Sequence, residues 1–233
     1  VAAALLLGLR AAGSLGTLGL AVFVAAIMLD EVRRGAGARA RGRGEDPATA
    51  TWRLATRHRR RYGGYTVHLG VLVMAVGIAV SSGLAVDRTV TLSPGETAEI
   101  GAYRITHDRL VVEPLADDAR VIETRAEVTY AGPQSGSLGT ALRDYPNSPT
   151  SIATPAVRTS LGEDLYVTLL ASDAASQTVT LHLFVNPLVV WIWIGGGIVG
   201  IGAVFAIWPE RRTRRVTADE PMRTAAPASA EGA

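Results

Sequence analysis

Of the four histidines in this 233-residue chain, His68 alone sits inside a long apolar stretch. The run RRRYGGYTVHLGVLVMAVGIAV places it seven residues after Arg61, roughly 10 Å along a helix at ~1.5 Å per residue. An imidazole in hydrocarbon still has a donor and an acceptor to satisfy. Three chemistries would do so: a hydrogen bond to a neighbouring helix, proton transfer, or ligation of a metal or haem iron. Gly63, Gly64, Gly70, Ala75, Gly77 and Ala79 make the surrounding helix small-sided, which admits another helix or a flat ring. Arginines at the membrane edge are suited to pair with the propionates of a porphyrin.

Little else in the sequence is arranged for chemistry. His107 and His182 fall on expected strands without an HxH or HExxH spacing, and read as surface or half-buried side chains. There is no G-x-S-x-G, no glycine-rich phosphate loop and no framed pair of carboxylates. The absence of cysteine excludes disulfides, thiolate metal sites and thiol redox chemistry within this chain.

The elements that position His68 follow from hydropathy. The chain is 48% hydrophobic, and its apolar residues collect in three blocks, 1–29, 63–84 and 187–208. Each approaches the ~20 residues that cross a bilayer, and the second and third lack a polar stripe. Segment 30–62 holds ten arginines against four carboxylates, whereas 85–186 holds seven against thirteen. Short arginine-rich loops stay cytoplasmic. The expectation is a multi-pass protein of the inner (cytoplasmic) membrane, in which helix 1–29 runs outside to inside, 63–84 returns outward and 187–208 comes back inside. Arg10 marks the outer end of the first helix or faces a partner. A cytoplasmic tail, 209–233, opens with PERRTRR and reads as disordered.

Within the cytoplasmic loop 30–62, GAGARARGRGED is of the low-complexity kind that stays disordered. With Trp52 its only tryptophan, the loop suits anionic lipid or topology setting rather than nucleic acid. A chain opening on Val1, with no basic n-region before its first apolar block, is expected to be processed or partial and to lack a signal peptide. Segment 85–186 alternates in the manner of strands (RTVTL, ARVIETRAEVTYAG, QTVTLHLFVN) around turns such as SPGE. The fold class is therefore transmembrane α-helices plus an extracytoplasmic antiparallel β domain, a small sheet or partial barrel facing the periplasm or exterior. Asn186-Pro187 reads as the start of the last helix, Trp191 and Trp193 as an interfacial belt, and Gly196-xxx-Gly200 as a packing face.

Four stretches in order, RRYGGYTVHLGVLVMAVGIAVSS, VTLSPGETAEIGAYRITHD, LGEDLYVTLL and NPLVVWIWIGGGIVGIG with a basic tail, resemble the C-terminal part of the CcmF/NrfE family. These are haem lyase subunits of cytochrome c biogenesis, and the resemblance covers roughly 13–215. It implies that His68 is one of two axial ligands to iron in a membrane b-type haem (protohaem). It also implies that haem arrives from a haem chaperone and is attached to the thiols of apocytochrome c, with apocytochrome-handling maturation subunits as further partners. The tryptophan-rich haem-handling motif and the second b-haem ligand of the family are absent here, so the resemblance implies an upstream half; this chain alone is part of a lyase system rather than a complete enzyme. Two alternatives stand beside this reading: a ResB-like cytochrome biogenesis component, and a non-enzymatic membrane scaffold or sensor whose β domain binds a partner.

Overall fold

A computed structural model of the chain describes residues 12–208. Arg10, the start of the first apolar block and the tail 209–233 lie outside the described residues. Three helices in it are long and apolar enough to cross a membrane: α1 (Ala12–Arg43), α3 (Arg59–Leu84) and α4 (Val189–Ile207). A shorter α2 (Pro47–Arg57) links the first two.

The arginine-rich segment differs from its low-complexity reading. Instead of ending near Leu29, α1 continues for 32 residues, about 48 Å, and takes GAGARARGR into the helix. Tertiary packing overrides the glycines there: Gly35 lies under Leu54 of α2 and Tyr62 of α3, and Ala36 and Ala50 are buried. The chain then reverses. Asp46 caps α2 by accepting from the Ala48 and Thr49 amides at 3.0 and 3.3 Å, with Pro47 in the first turn. Glu45 fastens the reversal by accepting from Arg39 Nε at 2.9 Å and Arg53 Nη1 at 2.6 Å.

Helices α3 and α4 pack antiparallel, far more extensively than α1 packs on α3. Their seam is built of glycines seven residues apart: Gly63, Gly70 and Gly77 face Gly195 and Gly202. A Cβ on Gly70 would lie 2.6 Å from the Gly195 carbonyl oxygen, and one on Gly195 would lie 2.7 Å from that of Gly70. Gly63 meets Ala206, Gly202 meets the Val67 amide, and Gly77 meets Ile192 and the Leu188 carbonyl. In lipid, where apolar burial drives nothing, such backbone approach is the main source of attraction between helices. The expected Gly196-xxx-Gly200 face does not pack: a Cβ at either position would meet nothing within 4 Å.

The β domain grows directly from this pair. One residue, Ala85, separates α3 from β1 (Val86–Leu92), and one, Leu188, separates β9 (Thr178–Pro187) from α4. β1 and β9 pair antiparallel from Val86↔Val185 to Leu92↔Val179, so the helix pair continues as a strand pair. Pro187 closes β9 rather than opening the helix; the turn is made at Leu188, in the left-handed region at φ 58°. That conformation costs a branched residue about 1 kcal/mol or more. It is held because the Leu188 amide donates to Gly162 O at 2.9 Å and its carbonyl accepts from the Trp191 amide.

The remaining strands are β2 (Thr97–Ile100), β3 (Tyr103–Leu115), β4 (Asp118–Ala131), β5 (Gly136–Asp144), β6 (Ile152–Thr154), β7 (Ala156–Arg158) and β8 (Glu163–Asp173). They form two antiparallel sheets, β1-β9-β8-β7 and β2-β3-β4-β5-β6, which pack on one shared apolar core as a partial barrel. Alternation sends Leu165, Val167, Leu169, Val179, Leu181 and Leu183 inward against Ile105, Ala126 and Val128. Buried Thr140 ties the sheets by accepting from the Leu169 amide at 3.0 Å and donating to Thr154 O at 3.1 Å.

The seam makes a directional prediction. Gly70→Ala and Gly195→Ala are each expected to cost about 1–3 kcal/mol through overpacking, whereas Gly196→Ala stays within about 0.5 kcal/mol. Thermal unfolding in mild detergent, comparing the three variants, reads the difference.

Candidate functional site

His68 lies on α3 with its side chain exposed, on the side away from the glycine seam: at 3.6 residues per turn it is roughly 160° around the helix from Gly70. Its Nδ1–H donates to the Gly64 carbonyl at 2.8 Å. Because a carbonyl only accepts, that bond puts the proton on Nδ1 and leaves the Nε2 lone pair available. No described residue hydrogen-bonds Nε2. The small residues around the histidine divide their roles: Gly63, Gly70 and Gly77 are consumed by α4, while Gly64 and Ala75 stay on the His68 face. A Cβ on Gly64 would meet nothing within 4 Å, so the surface beside the imidazole is flat and open. A metalloporphyrin fits this arrangement: one neutral imidazole in the ligating tautomer, a flat flank, and Arg61, paired with Glu31, two turns away on the same face.

The other histidines are placed elsewhere. His58 sits in the break between α2 and α3. His107 is fully buried rather than at or near the surface; its Nε2–H donates to Gln177 O at 3.0 Å and its Nδ1 has no partner. His182 faces Asp87 across the β1–β9 pair at 3.3 Å and lies against Phe184. No cluster of three or more metal-ligating side chains occurs among the described residues. An apolar groove of about 430 Å³ lies beside the His68 face, between Leu18, Val22 and Ala25 of α1 and Leu69, Leu72 and Val76 of α3.

Two features escaped the sequence reading. The seven-residue glycine spacing was legible in principle, since it matches the 3.5-residue period of packed helices. The second is a polar trough of about 530 Å³ on the outer face of β4 and β5, floored by Ser137, Gly139 and Ala141. Its end is buried Glu123, which accepts from Arg143 Nε at 2.7 Å and pairs with Arg125. The Arg143 hydrogen bond, joined by Arg125 and outweighing burial, holds the Glu123 carboxyl below its usual range. Near the membrane, burial raises Asp164, which accepts from the Ser160 amide. Just before Asp164, Leu161 O accepts from Trp191 Nε1 at 2.9 Å. The stretches SLGED and NPLVVW thus meet where the β domain joins the helices, through Leu161 with Trp191 and Gly162 with Leu188.

No protein-family profile matches the chain. Curated relatives do. It is 30% identical over 155 residues to the cytochrome c-type biogenesis protein CcmF of Haemophilus influenzae, an alignment covering 66% of this chain and 23% of that one. Against CcmF of Escherichia coli it is 29% identical over 164 residues, 70% and 25% of the two chains. The biogenesis protein NrfE of Haemophilus influenzae matches at 22% over 152 residues, 65% and 24%. The chain therefore spans about a quarter of the length of the curated relatives it matches. A solved structure of the cytochrome c haem lyase CcmF superposes on 79% of this chain and 34% of its own, with a TM-score of 0.57 and 23% identity, and shares the fold.

The Glu123 pairing predicts a pH dependence. A carboxylate held below its usual value stabilises the fold above about pH 4.3, and that contribution is lost as pH falls through the lowered folded value. Glu123→Gln is expected to cost about 2 kcal/mol at pH 7 and to flatten the loss of stability in acid. Unfolding monitored between pH 3 and 7 in wild type and variant tests both.

Proposed function

The chain is a segment of the CcmF/NrfE family of cytochrome c-type biogenesis proteins, and from that premise we propose that it serves cytochrome c maturation as part of a membrane haem lyase. In this reading His68 would ligate the iron of a b-type haem through Nε2. The observation that carries the assignment is the His68 imidazole, with Nδ1–H committed to Gly64 O and Nε2 free on an open helix face.

When bound, such a haem supplies a one-electron couple tuned by its axial ligands and surroundings. The residues of this chain supply the rest. The Gly64 carbonyl fixes the imidazole's tautomer and rotation, as an outer hydrogen bond does for most metal-bound histidines. The glycine seam fixes the helix that carries the imidazole. Arg61, two turns from His68 on the same face, places a guanidinium at the membrane edge, where a propionate carboxylate would share it with Glu31. The second ligand comes from outside the described residues. The arginine-rich side faces the cytoplasm and the β domain the periplasm, in the inner membrane. There the β domain is held over the surface on which a haem chaperone, apocytochrome c and the subunits that handle it would meet. The matched relatives favour this over the ResB-like reading.

In the purified native complex, His68→Ala is expected to abolish or strongly reduce a b-type signal in reduced-minus-oxidised and pyridine haemochrome spectra. Holocytochrome yield should fall with it while membrane insertion stays intact. His107→Ala is expected to lower β-domain stability and leave the spectrum unchanged. A wild type without haem, with haem supply confirmed, would return His68 to a helix-packing role.

A further inference from the structure

We propose that the arginine end of the α1–α2–α3 hairpin is a binding surface for anionic phospholipid headgroups, centred on Arg33, Arg57, Arg59 and Arg60. Two independent observations meet here. The first is charge accounting. The hairpin segment 30–62 contains four carboxylates, and every one is committed. Asp30 holds Arg34 at 2.6 Å, Glu31 holds Arg61, Glu45 holds both Arg39 and Arg53, and Asp46 caps α2. Among the described residues, Arg33, Arg57, Arg59 and Arg60 have no carboxylate partner, nor do Arg41 and Arg43 at the far tip.

The second is depth. The apolar part of α1 ends at Leu29. Glu31 meets Arg61 and Gly35 lies against Leu54 and Tyr62, so the end of α2 and the start of α3 stand level with 31–35 of α1. That is about 3–9 Å beyond Leu29 at 1.5 Å per residue, which is the thickness of a headgroup layer. Arg33, Arg57 and Arg60 are exposed at this level, and Arg59 is steered by its Nε–H bond to Thr56 O at 3.2 Å. Arg41 and Arg43 are ~18–21 Å beyond Leu29 and out of the layer's reach. A guanidinium offers two parallel donors to a phosphodiester, so four of them in one layer favour a headgroup with net negative charge over a zwitterionic one. A soluble polyanion would draw on Arg41 and Arg43 at the tip as well as on this level, whereas a headgroup layer reaches this level alone.

The test uses the full chain in nanodiscs of equal phosphatidylglycerol and phosphatidylcholine, with retained lipids read by native mass spectrometry. Wild type should carry phosphatidylglycerol in preference. Arg57→Gln with Arg60→Gln should weaken that retention about fivefold per arginine. Arg41→Gln with Arg43→Gln removes the same charge from the tip and should leave it unchanged. Equal retention of both lipids by wild type, or equal loss in the two double variants, overturns the proposal. Because no haem is measured, its failure is separate from any failure of the His68 assignment.

Discussion

Everything in this molecule depends on how closely α3 and α4 approach. Their glycines let two backbones touch where any larger side chain would hold them apart. In water such a seam would be a weak choice, since glycine buries little and costs helix propensity. In lipid the balance reverses, because packing and polar backbone contacts are the attractions left. The same seam sets the orientation of α3. Once Gly63, Gly70 and Gly77 face α4, the face bearing His68 must point away, toward whatever else the bilayer holds.

That constraint extends beyond the membrane. Single-residue joints at Ala85 and Leu188 leave no slack between the helix pair and the β1–β9 pair. The loop before β8 then reaches down to bond the first turn of α4 through Leu161 and Gly162. Three of the four stretches that resemble the CcmF/NrfE family build this region: the glycine-bearing helix, the start of LGEDLYVTLL and the start of NPLVVWIWIGGGIVGIG. The fourth forms the β1–β2 turn, closed by the Gly95 amide on His107 O. Much of the shared pattern is therefore architecture, and His68 lies within it on the face that the architecture leaves open.

The sequence was legible where one physical rule dominates. Runs of apolar residues marked the membrane-capable helices, because hydrocarbon tolerates little else over that length. Period-two alternation marked β8 and β9, whose inner residues fill the core. His68 was conspicuous because a lone imidazole in an apolar helix has few bland explanations. Legibility failed where tertiary contacts outvoted local preference. GAGARARGR is helical because α2 and α3 pack on its start and its alanines and arginines favour a helix despite the glycines. Leu188 adopts a backbone that its type disfavours because hydrogen bonds on both sides hold it there. The burial of His107 and Glu123 depends on strands distant in sequence, and alternation alone does not say which polar residue will find a partner inside.

The pairing of β1 with β9 has a consequence in time. Residues 86–92 find their partners at 179–185, so the first strand is made long before the last. At a synthesis rate of ~5–20 residues per second, the interval is on the order of ten seconds. During it α3 lies in the bilayer with its glycine seam facing lipid, and β1 waits beside the membrane with an unpaired edge. Both needs are met together, since β9 and α4 are consecutive in the chain. Barrel closure and helix docking are thus one late event of assembly, and a nascent chain interrupted before it would expose a sticky strand and an unsealed helix at once.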